Sequence, residues 1–156
     1  MSNILRLDDT DRRLLRVLQA DGRISNGDLA DRCSLSASAC SDRVRRLRDG
    51  GYITGFAALV DPGKVGRALL IFVEVVLDRT TPEAFETFAA AARRTPDILE
   101  CHMVAGGFDY LLKARVRDFA EYRKFLGEVL VSIPGVRETR TYAVLEEVKS
   151  TTQLPV

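Results

Sequence analysis

The chain has 156 residues, of which 46% are hydrophobic and 29% are charged, and its formal net charge is +1. This composition excludes a mainly disordered chain, because such chains combine low hydrophobicity with a large net charge. Eleven Gly and five Pro without a repeat exclude a collagen-like chain. No run of about 18 uncharged apolar residues is present to span a membrane. The length suits one ordinary domain or two small ones.

The first residues, MSNILRLDDTDRRLL, lack the basic start and apolar run of a secretory signal peptide, so we expect a soluble protein in the cytoplasm. The three cysteines, Cys33, Cys40 and Cys101, are an odd number without CxxC spacing, which argues against a disulfide framework. The single histidine, His102, adjoins Cys101, and neighbours on a strand point to opposite faces. We therefore expect no metal site.

Arginine dominates the basic residues of the first part of the chain. Residues 1–60 contain ten Arg, no Lys and eight Asp, which gives this part a charge of +2, and the remainder has a charge of −1. So weak an asymmetry does not by itself indicate a nucleic-acid binder. The choice of Arg is more informative, because its guanidinium group suits phosphates and the edges of guanine bases.

Three short helices are predicted in the first third of the chain. The first begins near Asp8 or Asp9 and ends before Asp21, the second follows Ser25 as its N-cap, and the third runs from Ser36 to Gly50. In the second helix, Leu29, Ala30 and Cys33 are expected to face inward. A tight link at 34–35 joins the second and third helices, which is typical of a helix-turn-helix that docks on DNA.

The third helix carries the strongest functional signal. Its predicted apolar stripe contains Ala37, Cys40, Val44 and Leu47, and the rest of its surface holds small residues near the start and arginines behind them. Small side chains and free backbone N–H groups let a helix start approach phosphates, and arginines can reach base edges. The predicted DNA-binding residues are Ser36, Ser38, Ala39, Asp42, Arg43, Arg45 and Arg46.

A charged helix face can also be a surface whose arginines are only hydrated, and the helix-turn-helix spacing is what favours DNA recognition here. On that interpretation, the substitution Arg46→Ala is expected to weaken specific DNA binding by about 1–3 kcal/mol. Unchanged affinity for the cognate DNA would remove Arg46 from the face that reads DNA.

The rest of the chain alternates strands and helices. A strand at 52–61 leads out of the helical part, and the next strands are predicted at 68–78, 98–104, 109–116 and 136–148, with helices at 81–94 and 118–133. The order βαββαβ is that of the ferredoxin-like sandwich, so we predict an α+β protein. The predicted borders are 7–60 for the helix-turn-helix domain, 61–67 for a linker and 68–150 for the ferredoxin-like domain.

The strand at 68–78 predicts that the protein associates with itself. Residues 68–73 are apolar without alternation, although helices would cover only one face of the sheet. A second copy of the same domain is the simplest cover for the other face, and a twofold dimer suits palindromic half-sites in DNA. In the helix at 118–133, the residues expected to face inward are Phe119, Tyr122, Leu126, Val129 and Leu130.

Four blocks of sequence resemble the Lrp/AsnC (feast/famine) family of transcription regulators, and its leucine-responsive members in particular. They are LDDTDRRLLRVLQADGRISNGDLADRCSLS, RVRRLRDGGYITGF, ECHMVAGGFDYLLKARV and IPGVRETRTYAVLEEVK, within residues 7–153. The resemblance implies a winged helix-turn-helix, near 26–45, joined to an amino-acid-sensing domain. It also implies dimers that assemble further, often to octamers, and that wrap or bend DNA.

The resemblance further implies an effector pocket between dimers, around a Gly-x-x-Asp turn. The effector-binding residues that it implies are Met103, Gly106, Gly107, Asp109, Phe119, Tyr142, Ala143 and Val144. Two features depart from the family pattern. Ala105 stands where many members have Ser or Thr, which removes a hydroxyl that could bind a ligand. The SASACS start of the third helix is also unusual, so a target DNA sequence cannot be transferred.

The Gly-x-x-Asp turn suits an amino acid on chemical grounds. A zwitterion needs a carboxylate for its ammonium group and backbone N–H donors for its own carboxylate, and glycines permit close approach. Asp109 and the backbone of Gly106 and Gly107 offer these groups. Asp109 can equally be a turn-capping residue, the glycines can simply provide the backbone angles of the turn, and Tyr142 can be an aromatic residue packed on the sheet.

We therefore predict a sequence-specific DNA-binding transcription regulator whose assembly and DNA binding respond to a small amino acid, with leucine or another branched-chain amino acid first. Its expected partners are double-stranded DNA, the effector and further copies, as a homodimer assembling to a tetramer or octamer at the nucleoid. No other cofactor is expected. An enzyme is not indicated, because no nucleophile motif or phosphate loop accompanies His102. A ligand-independent architectural DNA-binding protein of the same fold is the alternative, since it would share every N-terminal feature.

Overall fold

The computed structural model describes residues 6–156 and divides the chain into two compact units. The first comprises the residues up to Ala58 together with Lys149–Val156, and the second comprises Leu59–Val148. The first five residues, on which the expected absence of a signal peptide partly rests, lie outside this range. Within residues 6–156, no helix is long and apolar enough to cross a membrane. The predicted borders at 7–60, 61–67 and 68–150 stay a prediction.

The first helix begins where its acidic residues can cap it. α1 (Asp9–Ala20) has Asp8 as its N-cap, and the Asp8 carboxylate accepts the Asp11 N–H at 2.7 Å. The Asp11 carboxylate accepts the Asp8 N–H at 3.3 Å, which completes a reciprocal capping box. Leu14 and Leu15 are buried one turn further on, so α1 faces the core of the first unit along this side.

The second and third helices are joined by the tight turn that the sequence predicts. α2 (Asn26–Cys33) ends at Ser34, whose φ of 56° lies in the left-handed region and reverses the chain direction. α3 (Ala37–Asp49) begins at its N-cap Ser36, as expected. The residues predicted to face inward from α2 are buried, namely Leu29, Ala30 and Cys33. The helix-turn-helix prediction is therefore confirmed at the level of its helices and caps.

The second unit is a four-stranded antiparallel sheet covered by helices. Its elements are β1 (Leu69–Leu77), α4 (Pro82–Arg94), β2 (Ile98–Met103), β3 (Tyr110–Val116), α5 (Phe119–Lys124) and β4 (Val136–Ala143). The strand order is β2-β3-β1-β4, and each neighbouring pair is antiparallel. This is the ferredoxin-like βαββαβ topology, so the predicted fold class is confirmed.

Side chains of β1 alternate between a buried face and a half-buried face. Ile71, Val73 and Val75 are fully buried in the core beneath the helices, whereas Phe72 and Glu74 on the other face are half-buried. The apolar run thus places side chains on both faces, and Phe72 is an apolar residue on the face that the helices leave open. The expectation that a second copy covers this face stays a prediction.

Two predicted strand segments are not strands in the structure. Residues 52–61 pair with no strand among residues 6–156, and a strand needs such a partner for its N–H and C=O groups. β4 ends at Ala143, opposite Ile71 of β1, rather than at 148, and residues 145–148 pair with no strand in the described part of the chain. The Val144 N–H still donates to the Leu70 C=O at 3.0 Å beyond the last assigned pair.

The predicted helix at 118–133 changes its winding halfway along. After α5 the chain continues as a π-helical turn, Phe125–Leu130, and the Val131 N–H donates to the C=O of Leu126 at 3.0 Å. This wider winding lets Phe125 and Leu130 both reach the core, and Phe119, which was expected to face inward, is 62% exposed. The other predicted inward residues contact the core as expected, namely Tyr122, Leu126, Val129 and Leu130.

Candidate functional site

The start of α3 is fixed by hydrogen bonds to its surroundings. Asn26 Nδ2 donates to the Ala37 C=O at 2.9 Å, which ties the first turn of α3 to α2. Ser36 Oγ accepts the Ala39 N–H at 3.2 Å and lies 3.2 Å from Ser38 Oγ. The result is a positioned helix start with small, mostly exposed side chains, as close approach to DNA requires.

The predicted DNA-binding surface of α3 is divided into two sides. Ser38, Asp42 and Arg45 lie along one exposed side, where the Arg45 side chain is 69% exposed. Arg45 pairs with Asp42 three residues earlier. An ion pair this exposed contributes little to stability, so the Arg45 guanidinium group is available to another partner.

Ala39, Arg43 and Arg46 lie on the other side of α3, and the two arginines bind the start of α1. Arg46 Nη2 donates to both carboxylate oxygens of Asp11 at 2.9 Å. Arg43 Nη1 donates to Asp11 Oδ1 at 2.8 Å and to Asp8 Oδ2 at 2.7 Å. The Asp11 side chain is fully buried, whereas Arg43 and Arg46 retain 28% and 45% exposure. We call Asp8, Asp11, Arg43 and Arg46 the α1–α3 clamp.

Within the α1–α3 clamp, Asp8 and Arg43 stabilise each other's charged forms. The Asp11 backbone N–H and the Arg43 guanidinium group hold the pKa of the Asp8 carboxyl below its usual value. Hydrogen bonds to Asp8 and Asp11 raise the pKa of Arg43 in turn. Sequence reasoning assigned the acidic residues only to the helix start. The signal that was missed is that Asp11 lies on the same face as Leu14 and Leu15, where an unpaired carboxylate would be costly.

Arg48 is a further basic residue near the exposed side of α3, and the predicted set omits it. It is exposed, and together with Arg45 it lines a concave surface formed by the end of α3 and residues 53–56. The spacing of three residues from Arg45 would have identified it, because residues three apart are neighbours on a helix surface.

Asp109 anchors the turn between β2 and β3. Its Oδ2 accepts the Leu77 N–H at 2.7 Å, and its own N–H donates to the Val75 C=O at 2.9 Å. Gly106 and Gly107 are exposed near the tip of this turn. The Asp109 side chain thus joins this turn to the end of β1, and this contact is compatible with a ligand role because a carboxylate accepts several hydrogen bonds.

Met103 lies beside this turn and lines a groove between α4 and β2. The groove has a volume of about 330 Å³, and its lining residues are Pro82, Phe85, Glu86, Ala89, Arg93, Cys101, Met103 and Tyr110. Cys101 lines this groove, whereas the His102 Nε2 lies 3.1 Å from Glu100 Oε2, so the two neighbours face opposite sides of the strand. Burial raises the pKa of the Cys101 thiol, which keeps it in the neutral form.

The other predicted effector residues lie near the opposite end of β1. Tyr142, Ala143 and Val144 run along its beginning, where Ala143 pairs with Ile71. Phe119 follows β3, whose last residue pairs with the first residue of β1. Phe119 and Tyr142 are 62% and 51% exposed.

Tyr142 also has a role within the sheet. Its hydroxyl donates to Glu74 Oε1 at 3.0 Å on the open face, and this hydrogen bond raises the pKa of Tyr142. The interpretation of Tyr142 as an aromatic residue attached to the sheet therefore stands beside its interpretation as a ligand contact.

The eight predicted effector residues thus form two groups within one chain. Met103, Gly106, Gly107 and Asp109 lie near the Leu77 end of β1, and Phe119, Tyr142, Ala143 and Val144 lie near its Ile71 end. The six residue steps from Ile71 to Leu77 span roughly 20 Å of extended strand. The main-chain positions at the two extremes, Asp109 at Leu77 and Ala143 at Ile71, are therefore further apart than the length of a small amino acid.

Comparisons with known proteins cover both units. Residues 7–54 match the winged helix-turn-helix DNA-binding family, and residues 70–154 match the Lrp/AsnC ligand binding domain family. The leucine-responsive regulatory proteins of Salmonella typhimurium and Escherichia coli K12 are each 51% identical to the chain over 150 residues. Each match covers 96% of this chain and 92% of the relative.

Solved structures agree with these matches. A transcriptional regulator from Neisseria meningitidis, in complex with L-Met, has a TM-score of 0.92 at 39% identity and covers 96% of this chain and 97% of that chain. An AsnC family transcriptional regulator from Agrobacterium tumefaciens has a TM-score of 0.91 at 32% identity, with the same coverage. The chain therefore belongs to the Lrp/AsnC family of DNA-binding transcription regulators, as the sequence blocks implied.

Proposed function

We propose that α3 binds double-stranded DNA through its exposed side, with Ser36 and Ser38 at the helix start and Asp42 and Arg45 behind them. The supporting observation is that this side is exposed while the α1–α3 clamp fixes the helix from behind. Arg45 can then reach a base edge or a phosphate with little reorganisation.

In this proposal, the residues on the side of α3 that faces α1 position the helix rather than read the DNA. Ala39 permits close packing, and Arg43 and Arg46 hold the helix through Asp11. Any DNA contact by these two arginines would use the guanidinium N–H groups that remain exposed. The effect of Arg46→Ala on DNA binding then includes a loss of helix positioning as well as a lost contact.

The substitution Arg45→Ala is expected to weaken DNA binding by about 1–3 kcal/mol, because a base-reading arginine contributes that much. The measurement is a fluorescence-anisotropy titration at fixed salt, with DNA selected from a random-sequence pool. Arg13→Ala is the matched control, since Arg13 is exposed on α1 outside the proposed face. Equal affinities of the two variants would contradict the assignment of Arg45.

We propose further that the second unit binds a small amino acid, leucine first and other branched-chain amino acids next, at a site shared between copies of the chain. The observation that carries this proposal is the separation of the effector residues into two groups at opposite ends of β1. Two copies can bring one group from each chain together around a single ligand. The L-Met complex of the Neisseria regulator supports an amino acid as the ligand class.

Each part of the turn has a chemical role in this site. The Asp109 carboxylate would bind the ammonium group of the effector, and the backbone N–H groups of Gly106 and Gly107 would bind its carboxylate. Met103 would contact the effector side chain. The ligand would then favour one assembly of homodimers, such as tetramers or octamers, over another, which is thermodynamic linkage rather than catalysis. We expect the protein to act in the cytoplasm, at the nucleoid.

A thermal-shift panel of the purified protein against the common amino acids tests the effector proposal. A ligand at about 100 times its Kd should stabilise the protein by roughly 2.7 kcal/mol. A shift confined to leucine and its branched-chain relatives is expected. A flat panel from a protein that still binds DNA would instead support the ligand-independent architectural function.

A further inference from the structure

Residues at the end of the sequence belong to the DNA-binding unit, although they follow the effector unit along the chain. The chain leaves the first unit after Ala58 and returns to it at Lys149. Within that unit, residues 153–156 contact α1 near its C-terminal half. The DNA-binding unit is therefore joined to the effector unit by two covalent connections.

The side-chain carboxamide of Gln19 forms two hydrogen bonds with the main chain of Leu154, one with its N–H and one with its C=O. The Leu154 N–H donates to Gln19 Oε1 at 2.6 Å, and Gln19 Nε2 donates to the Leu154 C=O at 3.0 Å. These two hydrogen bonds satisfy the backbone N–H and C=O of Leu154, as pairing with a neighbouring strand would. The Leu154 side chain itself is 70% exposed, so the recognition is of backbone rather than of side chain.

Further contacts extend the attachment over a turn of α1. Arg16 Nη1 donates to the Val156 C=O at 3.1 Å, and Gln153 Nε2 donates to the Gln19 C=O at 3.3 Å. Val156 is partly buried against the apolar cluster that includes Leu14. Hydrogen bonds from both ends of the segment and one apolar contact thus hold residues 153–156 on α1.

We infer that the surface of α1 bearing Arg16 and Gln19 is a docking site for residues 153–156, and that the docked segment couples the effector unit to the DNA-binding helix. The coupling part rests on the proposed effector function. Val144, in the second group of effector residues, precedes Lys149 by only five residues, so a change at the end of β4 has a short covalent path to α1. The beginning of α1 in turn holds α3 through Asp8 and Asp11.

Docking is tested by hydrogen exchange of the Leu154 amide in the full-length protein, without effector or DNA. Gln19→Ala should speed this exchange by about 30-fold, because it removes both hydrogen bonds between the Gln19 side chain and Leu154. Arg13→Ala is the matched control on the same helix, since Arg13 is exposed and lies to one side of the stripe formed by Arg16 and Gln19. Exchange of the wild-type amide at the rate of an unstructured peptide would overturn the docking site.

A second pair of variants tests the same contact from the other side. Leu154→Pro removes the N–H that Gln19 accepts, whereas Leu154→Ala keeps it and trims only an exposed side chain. For these variants the exchange of the neighbouring Gln153 amide is followed. We expect faster exchange in the proline variant alone. Equal exchange in both variants would contradict recognition through the main chain.

Coupling is tested by the ratio of the DNA Kd values with and without effector. In Gln19→Ala and Leu154→Pro this ratio should fall to within about twofold of one, with DNA affinity in the absence of effector unchanged. A wild-type ratio in variants whose segment is released would overturn the coupling. Failure of the wild-type protein to respond to any amino acid would overturn the proposed function and the coupling with it, and the exchange data would still decide the docking site.

Discussion

Replacing Asp11 by Ala is expected to lower the free energy of unfolding of the DNA-binding unit by about 2 to 3 kcal/mol. Asp11 is fully buried and accepts guanidinium hydrogen bonds from both Arg43 and Arg46. Breaking a buried ion pair costs about 3 to 5 kcal/mol when the remaining charge stays buried. The expected loss is smaller here, because both arginines are partly exposed and can be hydrated.

Calorimetry measures this effect, provided that the transition of the first unit is followed separately from that of the second. A loss of this size should lower the melting temperature of a unit this small by on the order of 10 °C. Asp9→Ala is the matched control, since Asp9 is exposed in the same turn of α1. Adding Arg46→Ala to Asp11→Ala should cost little more, because the partner is already gone. A melting temperature equal to that of Asp9→Ala would show that the clamp contributes no stability.

The substitution Asp109→Asn is expected to weaken effector binding by about 10- to 100-fold, because a hydrogen bond to a charged group contributes about 1.5 to 3 kcal/mol. Asparagine retains an oxygen that can accept the Leu77 N–H, so the turn should keep its shape while the charge is lost. Isothermal titration with the amino acid identified by the thermal-shift panel measures the change.

Two further variants separate the roles of Asp109. Asp109→Ala removes both the turn contact and the charge, and it should lower stability as well as effector affinity. Glu128→Gln removes a carboxylate from an exposed position on the last helical segment and should change neither. Normal effector binding by Asp109→Asn together with loss in Asp109→Ala would restrict Asp109 to its structural contact with Leu77.

Local signals were sufficient for the helices of the DNA-binding unit. Ser25 and Ser36 act as the N-caps that their sequence positions predicted, and the inward residues of α2 are buried. Caps and helical periodicity involve residues a few positions apart, so they can be read from the sequence directly. The order of strands and helices likewise predicted the ferredoxin-like topology, because few arrangements accommodate it.

Contacts between distant residues could not be predicted in this way. The clamp joins Asp11 to Arg46, and the docked segment joins Gln19 to Leu154, 35 and 135 residues apart. Periodicity placed Arg46 on the free face of α3, whereas its position toward α1 follows from how the helices pack. The π-helical turn Phe125–Leu130 was missed because helical periodicity assumes a uniform winding.

The separation of the effector residues along the sheet could not be predicted from the sequence either. The family resemblance named Asp109 and Ala143 without indicating their separation. Their separation follows from strand register, since Asp109 contacts Leu77 while Ala143 pairs with Ile71. Register depends on side-chain packing across the whole sheet, and hydrophobic pattern alone fixes it weakly.

The order in which the ribosome releases the chain has a particular effect on this protein. Residues up to Ala58 emerge first, but the segment that returns to their unit follows only after the 90 residues of Leu59–Val148. At about 5–20 residues per second, roughly 5 to 20 s pass between the two events. During that interval the surface of α1 around Gln19 lacks its final contacts. A nascent chain therefore completes its DNA-binding unit only after its effector unit has been synthesised.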